Sequence, residues 1–243
     1  MGVDTGGRRA RWEPHNNERR TRIVEAAIEL IEQGPPGAPI SSQRIAERAG
    51  LAKSVLYRQF SGREELDRRV RAVIAERFVD ELDAALDVGA GSIARILARA
   101  VGVVVDWIGD HPRWHEFLRG GPAADDPIER DALTGLLAAI AARAEQLVTG
   151  LAGAVGVVDP PVIDTMTFAI VSMTEATVTR WSRDPDPALG RKDLIAEISG
   201  YAWSILDGVA RSHGLALDPD RPLLELLDDL AANQAARRAG SLR

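Results

Sequence analysis

Cysteine is absent from the 243 residues, which excludes disulfides, thiolate metal sites and cysteine nucleophiles. Nothing argues for an oxidising compartment, so a cytoplasmic location is expected. Met1 to Asn17 lacks the apolar stretch of a signal peptide, and no apolar run is read as long enough to span a bilayer, so no membrane partner is expected. No segment alternates apolar and polar residues with period two between hairpin signals, which removes the signature of a β-strand. Catalytic constellations are missing too. There is no Gly-x-Ser-x-Gly, no phosphate-cradling glycine loop and no histidine and carboxylate grouping around a nucleophile. His111 and His115 stand four apart beside Glu116. Pro112 puts His111 at a helix start and no HExxH accompanies the pair, so they read as a cap and a surface histidine rather than metal ligands. No catalytic residue, cofactor or metal is assigned.

What the chain does have is an uneven charge. The formal net charge is -6, yet residues 1–77 hold 15 Lys and Arg against 11 Asp and Glu, net +4. Residues 78–243 hold 15 against 25, net -10. A basic head on an acidic body is expected where one part meets a polyanion and the other meets protein or small molecules.

Helical periodicity runs through almost everything else. Residues 1–17, with Arg8, Arg9 and Arg11, show none and read as a flexible arginine-bearing tail. Ile23, Ala26, Ala27, Leu30 and Ile31 then mark one helical face, closed by Gly34-Pro35-Pro36. A short helix capped by Ser41 or Ser42 carries Ile45 and Ala46 to Gly50, and a second short one follows over Leu51 to Phe60. Ser61-Gly62-Arg63-Glu64 fits a capping box opening a long helix to about Asp87. Further helical stretches begin at Ser92, at His111-Pro112, at Asp125-Asp126-Pro127, at Asp159-Pro160, near Leu194 and at Pro222. The fold class expected is all-α, with nine or ten helices.

Two short helices joined at a glycine are the sequence form of a helix-turn-helix, whose second helix enters the DNA major groove. Ile45, Ala46, Leu51, Val55 or Leu56, and Phe60 are expected inside; Lys53, Ser54, Tyr57 and Arg58 or Gln59 outside. Lys53 and Arg58 suit phosphates as counter-charges, and Tyr57 and Gln59 suit them as hydrogen-bond partners.

The series Ala26-Ala27 with Leu30, then Ile45-Ala46-Glu47-Arg48-Ala49-Gly50-Leu51, Leu56-Tyr57-Arg58-Gln59-Phe60 and Arg63-Glu64-Glu65-Leu66 resembles the DNA-binding domain of TetR-family transcriptional regulators. The resemblance implies that Ser42 holds a phosphate and that Arg44 reaches groove or backbone. It places Lys53, Ser54 and Val55 nearest the bases, with Tyr57, Gln59 and Arg63 on phosphates, Arg63 aided by its helix dipole. The chain departs from the family's usual residues at Ala52, Ser54 and Val55. Ala52 gives a weaker cap, and Val55 either meets a thymine methyl or turns inward.

The expected organisation is therefore a tail over 1–17, a helix-turn-helix domain over 18–66, and a helical effector-binding and dimerisation domain over 67–243. One helix-turn-helix covers one half-site, so a palindromic operator requires a dimer. The family resemblance implies that helices near 160–183 and 190–213 form the homodimer, although the same stripes suit an intramolecular core. It also implies a small-molecule effector in the body. Trp107, Trp114, Phe117 and Phe168 are the aromatic candidates for its contacts, with core packing as the alternative. The function expected is a DNA-binding repressor released by an apolar or aromatic effector; an architectural DNA binder and an all-α enzyme are the rivals.

Overall fold

The structure is a computed structural model that describes residues 6–35, 39–87, 89, 91–120 and 132–240. Among the described residues there are ten helices and no strand: α1 (Gly6–Gln33), α2 (Ser42–Arg48), α3 (Lys53–Gln59), α4 (Arg63–Ala85), α5 (Ile93–Asp110), α6 (Pro112–Arg119), α7 (Ala132–Ala154), α8 (Pro160–Ser182), α9 (Arg191–Ser212) and α10 (Leu223–Gly240). The all-α expectation holds. One boundary does not: α1 starts at Gly6 rather than after Asn17, so most of the segment read as a tail is helical. Arginine, alanine and glutamate dominate residues 8–13 and are good helix formers. Those residues carry no apolar periodicity in the sequence, so this part of the helix leaves no periodic signal. The Asp125-Asp126-Pro127 start lies outside the described residues.

The chain forms two compact units, divided within α4 after Arg77. The first holds α1, α2, α3, the opening of α4, and α6. Its core follows from the periodicities: Ile23, Ala27, Ile45, Ala46, Leu56, Phe60, Leu66, Val70 and Ile74 are all buried. This unit is larger than the expected 18–66 domain because α6 joins it and packs against α1. The Arg113 guanidinium donates to the Glu32 carbonyl, capping the end of α1. His111 stacks on Trp114 at 3.9 Å, and Arg71 covers the Phe117 ring at 4.7 Å. Nothing in the local pattern of α6 names these partners.

In the second unit α5 packs against α8 and α9, which also pack on each other. Ile93, Ile96, Leu223 and Leu226 form a cluster where α10 meets α5. Backbone bonds from Ala94 to the Pro219 carbonyl and from Leu223 to the Gly91 carbonyl, both 3.0 Å, fix that junction. Helix α7 requires a correction: Leu133–Ala154 is long and apolar enough, by length and composition, to cross a membrane. Alanine and glycine make up ten of those 22 residues and add little to insertion, whereas Arg143 and Glu145 near the middle oppose it. Arg143 is paired with Asp83 of α4 at 3.1 Å.

Candidate nucleic-acid interface

The turn between α2 and α3 is built by hydrogen bonding. Ser41, rather than Ser42, caps α2, its hydroxyl accepting from the Arg44 amide at 3.2 Å. At the other end Gly50 adopts φ +67. The Leu51 amide then reaches the Ala46 carbonyl at 2.9 Å and the Gly50 amide reaches Glu47 at 3.0 Å. That paired closure needs a left-handed residue, which glycine adopts without a side-chain penalty. Ala52 heads α3 with no side-chain cap, as its missing hydroxyl requires.

Helix α3 divides cleanly. Leu56 is fully buried, and Phe60 just beyond the helix is nearly so. Lys53, Ser54, Tyr57 and Arg58 are exposed, while Val55 and Gln59 are half-buried. Val55 is therefore not turned fully into the core. The Lys53 ammonium lies 5.9 Å from the Tyr57 ring centroid, so a cation and an aromatic hydroxyl share one outward patch. On α2 Arg44 is exposed and Ser42 half-buried.

Arg63 also makes contacts within its own chain. Its Nε donates to Asp67 at 2.7 Å and an Nη donates to the Ile40 carbonyl. One of its five donors therefore stitches α4 to the segment before α2, and another stays within α4.

The capping box is also shifted by one residue. Glu65, not Glu64, accepts from the Ser61 amide, at 2.5 Å. Its carboxyl is held down to about pKa 2 by hydrogen bonds from the Ser61 amide and hydroxyl and from Arg20. Arg20 is the residue the sequence reading missed. It donates to the Gln59 carbonyl at 2.5 Å and to Glu65 at 2.9 Å, and lies 4.5 Å from the Phe60 ring centroid. One guanidinium joins α1 to the end of α3 and the start of α4. Its only sequence signal is a cation just before the apolar stripe, which the neighbouring Arg19 and Arg22 share.

The aromatic candidates separate. Trp107 is 4% exposed and packs against Phe78 at 4.8 Å within the second unit. Phe168, in the same unit, is 49% exposed on the outward side of α8, so it does not line an interior there. Trp114 and Phe117 belong to the first unit, where Arg77 and Arg71 lie over their rings. His115 is buried, not on the surface as expected. Among the described residues no cluster of His, Asp and Glu is arranged to hold a metal.

Comparisons with known proteins agree with this geometry. Residues 23–70 match the family model described as bacterial regulatory proteins, tetR family. The chain is 25% identical over 218 residues to an uncharacterized HTH-type transcriptional regulator of Mycobacterium tuberculosis, covering 87% of each. It is 29% identical over 80 residues to the nucleoid occlusion factor SlmA of a Marinomonas species, covering 33% of this chain and 40% of that one. Among solved structures, a tetR-family transcriptional regulator from Streptomyces coelicolor shares the fold over 100% of both chains, with TM-score 0.62 at 20% identity.

Proposed function

Because the chain belongs to the TetR family of DNA-binding transcriptional regulators, we propose that it acts as a homodimeric repressor released from a palindromic operator by a small apolar or aromatic molecule. The observation that carries the DNA side is the exposed row Lys53, Ser54, Tyr57 and Arg58, mounted on a helix whose other side is anchored by Leu56. Ser42, half-buried, and Arg44, exposed, at the start of α2 are assigned to the same interface. Ser54 and Val55 face bases, and the remaining groups, Gln59 included, hold phosphates.

Homodimerisation through α8 and α9 is supported by what those helices leave outside. Ala169, Ala176 and Tyr201 are exposed, and Met173, Ile205 and Val209 half-buried. Gly200 and Gly208 occupy helix interiors with open space where a Cβ would stand. Glycine is destabilising there by roughly 1 kcal/mol relative to alanine, which a close-packed partner helix would offset. Effector sensing follows the same premise, with Trp107 and Phe78 as the aromatic pair of the second unit. The effector acts only through its differential affinity for the DNA-competent and released conformations. Helix α4 supplies residues to both units and is one covalent route between them.

Selection of genomic fragments by the purified chain at near-physiological salt tests this reading. Enrichment of one palindromic site is expected. Uniform retention of all fragments would replace the repressor by an architectural DNA binder.

A further inference from the structure

The basic excess of residues 1–77 is largest ahead of the recognition helix, which itself carries Lys53 and Arg58. Residues 6–22 contain six arginines and two glutamates, net +4, whereas the rest of residues 1–77 contains nine cations and nine carboxylates. A surplus of that size therefore sits on the first part of α1, residues 6–22, ahead of Glu25, Glu29 and Glu32. Elsewhere in the unit intramolecular pairing removes cations from use: Arg48 pairs with Glu29, Arg63 with Asp67, Arg69 with Glu76 and Arg77 with Glu25. Arg19 and Arg22 are exposed, and neither has a carboxylate partner among the described residues. They lie three apart, neighbours on one helical surface. Between them in sequence, Arg20 fixes that turn of α1 against the Gln59 carbonyl at the end of α3.

We propose that Arg19 and Arg22 form a second phosphate-binding element, through which α1 grips the DNA backbone beside the segment entered by α3. This rests on the DNA-binding reading above and adds contacts that the helix-turn-helix does not supply. Two exposed, unpaired cations held rigidly to the recognition helix bring positive charge to a polyanion at little ordering cost, since the helix is already formed. These contacts carry no sequence information. They raise affinity for operator and random DNA alike.

The test uses the full-length chain and a fragment recovered in the genomic selection, with dissociation constants measured across a salt series. Replacing both residues, Arg19→Gln with Arg22→Gln, is expected to weaken binding to operator and random DNA by the same factor. The log–log salt slope should become shallower by about 1.8 per chain, since each phosphate contact contributes about 0.9. Lysine at both positions should restore the slope, because a point charge suffices for a phosphate. Arg69→Gln, which removes a paired cation, should leave the slope unchanged. The proposal is overturned if the glutamine pair binds with the wild-type slope while Tyr57→Phe still weakens binding. It is equally overturned if the lysine pair loses as much as the glutamine pair. A wild-type chain that binds no DNA would remove the functional reading along with this one.

Discussion

Leu56 and Tyr57 are adjacent in α3 and have opposite surroundings. Leu56 is fully buried, and Tyr57 is 47% exposed. Truncating Leu56 to alanine removes buried methyl groups and leaves a cavity, so Leu56→Ala is expected to lower stability by about 2 to 5 kcal/mol, read from urea unfolding. Tyr57→Phe changes only a hydroxyl on the outward side. Its unfolding midpoint should stay within about 0.5 kcal/mol of the parent. Its DNA affinity should fall roughly fivefold, the equivalent of one hydrogen bond worth about 1 kcal/mol. A Tyr57→Phe variant with unaltered affinity would remove Tyr57 from the interface. At this scale much of the site was legible, because a 3.6-residue period sorts Leu56 inward and Tyr57 outward without coordinates. Arg63 and Arg20 were not, because charge alone does not say whether a guanidinium faces solvent, a phosphate or a carbonyl of its own chain.

Helices α8 and α9 are joined at one end by a titratable clasp. His213, which closes α9, donates from Nδ1 to the Val209 carbonyl at 3.0 Å and meets Asp159, the cap of α8, through Nε2 at 3.1 Å. The bond to the Val209 carbonyl and then the Asp159 carboxylate raise its pKa above the ordinary 6.5. The charged form is thus favoured by folding. Its contribution is fully present below the unfolded value and disappears as pH rises through the raised folded value. Thermal melting followed between pH 6 and pH 8.5 should show the parent losing stability that His213→Gln never had, so the two curves converge at the alkaline end. Parallel curves would show that the clasp is not coupled to folding. The pairing joins residues on different helices, so no local pattern reveals it.

For the whole molecule, the proposal that matters is the use of the outward α8 and α9 surfaces by a second copy. Ala169 is exposed on α8, so an arginine there disturbs little within one chain. At a close-packed helix interface the same side chain introduces bulk and a buried like-charge pair across a two-fold axis. Ala169→Arg is expected to sediment as a monomer while retaining the parent's helical content, and to lose cooperative binding to a two-half-site fragment. A variant that sediments identically to the parent would move the dimer contact elsewhere.

Helix identity, helix order and the inward face of α3 were determined by the sequence alone, because they depend on periodicity, caps and breakers within a few residues of one another. The family likeness rested on the same local motifs. The extension of α1 back to Gly6 escaped that reading because propensity without an apolar face leaves no periodic trace. Only tertiary structure decided that α6 belongs with α1, that Arg63 stitches its own chain, that Arg20 joins three helices, and that Phe168 faces outward. Each of those depends on which distant groups meet, and the free energy of such meetings is set by geometry and burial that no short stretch of residues contains.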